Sequence, residues 1–358
     1  MPPWSEEGVA PPPSNDLMAD ALVLTLPERV RNGESLRRGE LPFWNPRIFG
    51  GYPHLAMIQN DALYPPSAAF DVVEPVSGMA WSVALHLALA GALAFRFLAG
   101  SGVSTAGALA GGVAFALNGL FLVRASAPSY VFSGTWLPLL LSGARRLGHG
   151  GRLRDGAGLA VGVALALLGG HPQVVVLELV AASAYAAWCA AESARARGAA
   201  PAPQIAAAAG RFAAATMLGA GLVAFQLLPF AELLRHSART AIPLADYLAS
   251  ALPPPALAQA LLPDVFGHPV DGDWWFGELA PLLDGRARGE RAWAFNYSGE
   301  NLFTGVAPLA LAAAALARPR RRREVVFLAG LGSLALATLM VPPLLAVAWL
   351  ALPGFGAS

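Results

Sequence analysis

The chain has 358 residues, 56% of them hydrophobic and only 13% charged, well short of the roughly 25% charge of a soluble domain. A net charge of +1 argues against a nucleic-acid partner, and the single cysteine, Cys189, rules out an intrachain disulfide and a cysteine-based metal site. All 24 Lys or Arg residues are Arg, which together with the abundance of Ala, Gly and Pro fits a GC-rich genome and is weak evidence for special Arg chemistry.

The chain opens on MPPWSEEGVAPPP, which is acidic and Pro-rich and lacks the pattern of a secretory signal. SNDLMADALVLTLPERV follows and predicts a helix with Ser14 or Asn15 as its cap. Asp16 and Asp20, four apart, fall on one face of it. Such carboxylates fit a general base at a membrane surface; they fit equally well as first-turn acids that favour the helix dipole.

The segment Leu41 to Pro66, LPFWNPRIFGGYPHLAMIQNDALYPP, is polar and aromatic where the rest of the chain is apolar. Its Pro and Gly content predicts a structured loop, the place where function tends to reside beside a rigid scaffold. Trp44, Asn45, His54, Gln59 and Tyr64 are its candidate substrate-binding residues. The aromatic turn from Trp44 to Pro53 fits a floor beneath a substrate or an anchor at the membrane interface.

Apolar runs then recur at 79–99, 103–123, 130–147, 156–170, 173–191, 206–230, 301–317 and 324–341, with a shorter one at 343–353. Several approach the roughly 20 residues that cross a bilayer. The expected fold is an all-α polytopic membrane protein of eight or nine spans. Residues 1–78 form an outer-face loop region with short helices, 79–230 a bundle of about six spans, 231–300 a second outer loop, and 301–358 further spans. Arg145, Arg146, Arg152 and Arg154, then Arg195, Arg197 and Arg211, then Arg318 and Arg320 to Arg323, mark alternate loops as cytoplasmic by the positive-inside rule. That leaves both long loops facing outward, and they are expected to meet over one cavity at the outer ends of the spans.

Several polar groups sit at those ends. His171 and Gln173 follow Gly169 and Gly170, with Glu178 further along the same helix face. An acid inside a span points to function or to a hydrogen bond within the bundle. His86, in the first span, reads as packed. Gln226 ends the sixth span, and Glu232, Arg235 and Arg239 share a face beyond it. Their Arg side chains fit a lipid phosphate or ordinary headgroup and Glu contacts. Glu300, entering the seventh span, fits a sugar-hydroxyl ligand or a helix cap. Asp264, His268, Asp271 and Asp273 form a loose oxygen-ligand group for a divalent ion, but without regular spacing no metal ligand set is assigned and the cofactor stays open.

These elements in this order resemble the YfhO-like bacterial membrane proteins, relatives of the GT-C class of polytopic glycosyltransferases. The likeness rests on SNDL at Asp16, RRGELPFWNPRIFGGYP, ALYPP at Ala62, LHLALAG at Leu85 and LLGGHPQ at Leu167. FQLLPFAELLRHSAR at Phe225, LLPDVFGHP at Leu261 and NYSGENLFTGVAPLALA at Asn296 complete it. The resemblance implies a GT-C-like bundle with a large first outer loop and a polyprenyl-phosphate-linked sugar donor. It also implies transfer to an envelope glycan, lipid or protein acceptor on the outer face of the bacterial cytoplasmic membrane. In such enzymes an acid of the first outer loop is the base, and Asp16 matches it. The family's first helix, which precedes that acid, is not found, so the chain reads as a piece truncated at both ends. Two rivals stand beside this reading: a transporter or flippase of lipid-linked glycans, and a non-catalytic scaffold for envelope assembly.

Overall fold

The computed structural model describes residues 20–237, 243–249, 251–252, 254–265, 302–317 and 322–352. Among them every regular element is helical, and an isolated bridge between Asn45 and Tyr52 is the only strand-like pairing. Five helical segments are long and apolar enough to cross a membrane: Pro75–Gly100, Thr105–Ser126, Pro172–Ala196, Pro201–Leu222 and Arg323–Met340. The chain is thus a helical membrane protein.

A short π-turn, Ala21–Thr25, leads into α1 (Leu26–Arg37), and α2 (Pro65–Asp71) follows the long loop. The first long helix, α3 (Pro75–Gly100), starts ahead of the expected residue 79. Pro75 pre-sets its first turn, and the Glu74 carboxylate accepts from the Val76 and Ser77 N–H groups, which have no partner within the helix. The second apolar run is broken. Asn118 ends α4 (Thr105–Ala116) and caps α5 (Gly119–Val123), its side chain donating to Phe115 O and accepting from Phe121 N. The third divides into α6 (Ser129–Gly134) and α7 (Leu137–Gly148). Next come α8 (Leu153–Leu168), α9 (Pro172–Ala196), α10 (Pro201–Leu222) and α11 (Ala224–His236). The remainder comprises α12 (Leu244–Ala249), α13 (Val306–Leu316), α14 (Arg322–Met340) and α15 (Pro342–Ala351). The runs expected at 130–147, 156–170 and 301–317 form helices shorter than a full crossing.

Two ends of the bundle are distinct. At one, Arg145 at the close of α7 donates to Gly100 O and Ser101 Oγ at the close of α3, and Arg323 on α14 pairs with Glu192 on α9 at 3.3 Å. This end collects the Arg residues of the α7–α8 and α9–α10 loops together with Arg323. Its core holds Leu140, Leu159, Tyr185 and Phe212, with Trp188 and Phe327 stacked 5.2 Å apart beside it.

The other end is covered by residues 26–74, a platform of α1, the Leu41–Tyr64 loop and α2. Its junction with the bundle is close. A Cβ at Gly170, in the α8–α9 turn, would lie 2.9 Å from Ile58 O, and Gly170 has φ +94°. Both facts demand glycine. Gly170→Ala is therefore expected to lower the melting temperature of the purified chain, since a strained backbone position costs about 1–3 kcal/mol. Faster amide exchange over residues 54–60 would place the loss at this seam; unchanged exchange there would remove the seam from the account.

Candidate functional site

The platform is built around buried charge. Arg29 is 1% exposed, and its Nη1 donates to Asp61 Oδ2 at 3.0 Å while its Nη2 lies 2.7 Å from Asp71 Oδ1. Ser67 Oγ donates to the same Asp61 oxygen. One guanidinium thus faces two carboxyl groups, so full ionisation would leave a net buried negative charge. Burial, reinforced by Asp61 and opposed by Arg29, lifts the Asp71 carboxyl to about 8, and burial raises Asp61 too. Asp61 also sits at φ +46°, a left-handed conformation that Asp tolerates better than most residues and that the ion pair holds in place. Beside them Glu28, buried and without a hydrogen bond among the described residues, is pushed by burial and then by Asp61 to about 7.

A polar ladder continues from this pair toward the bundle. Asn32 donates through Nδ2 to Asn60 O at 2.8 Å and accepts through Oδ1 from His54 Nε2 at 2.8 Å. Because an amide oxygen can only accept, that contact puts the His54 proton on Nε2 and leaves Nδ1 as a bare acceptor, buried without a partner. Burial and then Arg31 hold the ring neutral, its pKa lowered to about 4. The Asn45–Tyr52 bridge, with N···O distances of 2.8 and 2.9 Å, and Arg31 on Trp44 O, at 3.2 and 2.7 Å, fix the intervening aromatic turn.

At the seam with the bundle, α11 packs on the His54–Ala56 and Ile58–Asn60 turns. It carries Gln226, 1% exposed, with neither amide atom partnered among the described residues. The His171 and Tyr130 rings lie 3.7 Å apart, tilted by 30°, and the Arg124 guanidinium lies 4.2 Å from the Tyr130 ring centroid. The His171 backbone N–H donates to Ser133 Oγ, while its Nδ1 is buried and unpartnered. Burial and then Arg124 bring its pKa down to about 4. Further into α9, Glu178 is buried with Oε2 unpartnered. Native proteins leave few buried polar atoms unsatisfied, and those few call for an explanation in function or bound solvent.

The sequence-predicted residues fall into three groups. His54, Tyr64, His171 and Gln226 are buried at or near the junction of platform and bundle. Tyr64 is fully engaged: Trp136 Nε1 donates to its hydroxyl at 2.8 Å, and the hydroxyl meets His86 Nε2 at 2.8 Å. His86 Nδ1 in turn donates to Ser82 O, so His86 is packed as expected. Trp44, Gln59, Glu232, Arg235 and Asp20 are exposed, Asn45 is buried in its bridge, and Gln173 is half-buried. Asp16, Arg239, Glu300, His268, Asp271 and Asp273 lie outside the described residues. Among the described residues no group of three His, Cys, Asp or Glu is arranged to hold a metal ion. Sequence reasoning passed over Glu28, Arg29, Asn32 and Asp71 altogether.

Comparison of the chain with protein-family models, with curated proteins and with solved structures returns no match.

Proposed function

We propose that the chain transfers a sugar from a polyprenyl-phosphate-linked donor to an envelope glycan, lipid or protein acceptor, at the outer face of the bacterial cytoplasmic membrane. The observation that carries this reading is the seam. An ordered platform with a polar interior covers the end of a membrane bundle opposite its Arg-rich loops. His54 Nδ1, His171 Nδ1 and the Gln226 amide, unpartnered among the described residues, lie on the elements that join the two. A lipid-linked sugar needs that combination, with apolar helix faces for its chain and directional polar groups for its hydroxyls.

In the chemistry proposed, Asp16 removes the proton of the acceptor hydroxyl and the freed oxygen attacks the anomeric carbon with inversion. The bond to the polyprenyl phosphate breaks and its electron pair leaves with the phosphate, whose charge is held by Arg239 or Arg235. Arg235 stands exposed at the end of α11, within the same helix that carries Gln226. Holding donor and acceptor in one cleft removes most of the entropic cost of their meeting.

The test is transfer in proteoliposomes that contain the full-length protein, a labelled polyprenyl-phosphate sugar and an envelope extract as acceptor. Label should move into acceptor material with loss of the lipid-linked form. Movement of intact donor between leaflets without cleavage would favour the transporter instead, and retention of uncleaved, unmoved donor would leave the scaffold.

A further inference from the structure

A second feature lies at the Arg-rich end, far along the bundle from the platform. A groove of about 530 Å³ opens where α7, α8 and α10 meet. Ala157, Ala214 and Leu218 give it an almost wholly apolar lining, and the side chains of Arg154 and Arg211 border it.

The height of those two groups follows from helix register. A Cβ on Gly156 would touch Ala215 Cβ at 3.5 Å, and one on Gly219 would meet Ala160 O at 2.5 Å. Helices α8 and α10 therefore run side by side in the same direction with a constant offset. That offset sets Arg211 level with the first residues of α8, within a turn of Arg154. Both sit where the bundle gives way to its Arg-rich loops, the level at which lipid phosphates lie.

The two cations are available. Arg211 Nη2 donates to Leu147 O near the end of α7 at 3.1 Å, and the side chain makes no other hydrogen bond or ion pair among the described residues. Arg154 is exposed and makes no hydrogen bond or ion pair among the described residues. The neighbouring acid, Asp155, is turned to its own helix start. It accepts from the Arg152 N–H at 2.8 Å and stands 4.0 Å from Arg146. The groove thus has two cationic side chains at its border and, among the described residues, no free anion beside them.

We propose that this groove binds an anionic phospholipid. The headgroup phosphate sits between Arg154 and Arg211, and an acyl chain runs along Ala214 and Leu218 away from the Arg-rich end. A guanidinium meets phosphate oxygens through paired N–H donors. Basic pockets between membrane helices on the positively charged side select anionic headgroups on this ground. A zwitterionic lipid brings an ammonium that finds no free carboxylate here. The small side chains of the lining let an acyl chain approach the helix backbones closely. This inference is independent of sugar transfer.

Native mass spectrometry of the full-length protein, released from mixed phosphatidylglycerol–phosphatidylcholine micelles, tests it. Wild-type protein should retain phosphatidylglycerol over phosphatidylcholine. Arg154→Glu removes no contact within the fold, so it should leave folding intact and reduce phosphatidylglycerol retention by about tenfold or more. Arg211→Gln should do the same, while Arg197→Glu, at the same end but outside the groove, should not. Equal retention of the two lipids, or unchanged phosphatidylglycerol on Arg154→Glu, would overturn the proposal. So would displacement by millimolar inorganic phosphate, which would mark a site for the bare anion.

Discussion

Arg29→Ala is expected to detach and unfold the platform while the membrane helices remain. Removing one partner of a buried ion pair costs about 3–5 kcal/mol, because the charge left behind has neither solvent nor counter-ion. Here the one cation serves both Asp61 and Asp71, so its loss strands two carboxyl groups. Limited proteolysis of the full-length protein in detergent reads the effect directly. Residues 26–74 should become cleavable under conditions in which wild-type protein is not. Arg29→Lys should fall between, since an ammonium keeps the charge but cannot face both acids as a planar fork does. Wild-type resistance in Arg29→Ala would mean that packing alone holds the platform.

The same cluster gives the platform a pH dependence whose sign follows from its raised pKa values. Asp71 moves from 3.8 to about 8 and Glu28 from 4.5 to about 7 on folding. Between about pH 4 and pH 8 the folded platform thus binds more protons than the unfolded chain, and stability falls as pH rises through that window. The contribution is fully present below the unfolded values and lost above the folded ones. Melting of the platform should accordingly occur at lower temperature at pH 9 than at pH 5. Asp71→Asn, which imitates the protonated acid, should flatten much of that slope. A platform more stable at pH 9 would show that Asp71 stays ionised against Arg29 throughout and that Glu28 adds no such dependence.

Why this cluster escaped the sequence is instructive. The buried face of α1 is Glu28, Arg29, Asn32, Gly33 and Ser35, so the helix turns its polar side inward. Hydrophobic periodicity finds amphipathic helices by an apolar stripe, and a polar core leaves none. The partners of Arg29 lie 32 and 42 residues away, beyond any local pattern. One signal was present: Gly33 in mid-helix, where a Cβ would come within 2.0 Å of Asp71 O. By contrast, the spanning helices were legible from apolar length and from Pro and Gly at their ends. So was the structured character of the Leu41–Pro66 loop, which its turn-forming residues imposed. The breaks at Asn118 and after Gly134 were less so, because apolar residues continue through both. Tyr64 reads in the sequence as a substrate contact of the loop and His171 as a polar group at a span end. Only three dimensions distinguish a hydroxyl already engaged by Trp136 and His86 from an imidazole with a bare nitrogen.

The second large effect concerns the proposed base. Asp16→Asn keeps the size and hydrogen-bonding capacity of the side chain but cannot take up the acceptor proton. In a full-length protein it is expected to leave donor binding nearly unchanged while transfer falls at least ~10²-fold, the low end for loss of a general base. Asp20→Asn is the matched control. Asp20 is exposed at the start of the turn that leads into α1, and no side-chain capping bond ties it to the helix. Its loss should therefore matter little. Arg239→Ala should act on the other side of the reaction, weakening donor binding because a phosphate loses a charge-assisted partner. Separate binding and single-turnover transfer measurements distinguish the two effects. If Asp20→Asn proves the more damaging change, the base has been assigned to the wrong carboxylate of the pair. If neither change slows transfer while donor still binds, proton removal falls to another group. Glu28, buried beside Asp61 with its carboxyl poised near neutrality, is then the next residue to replace.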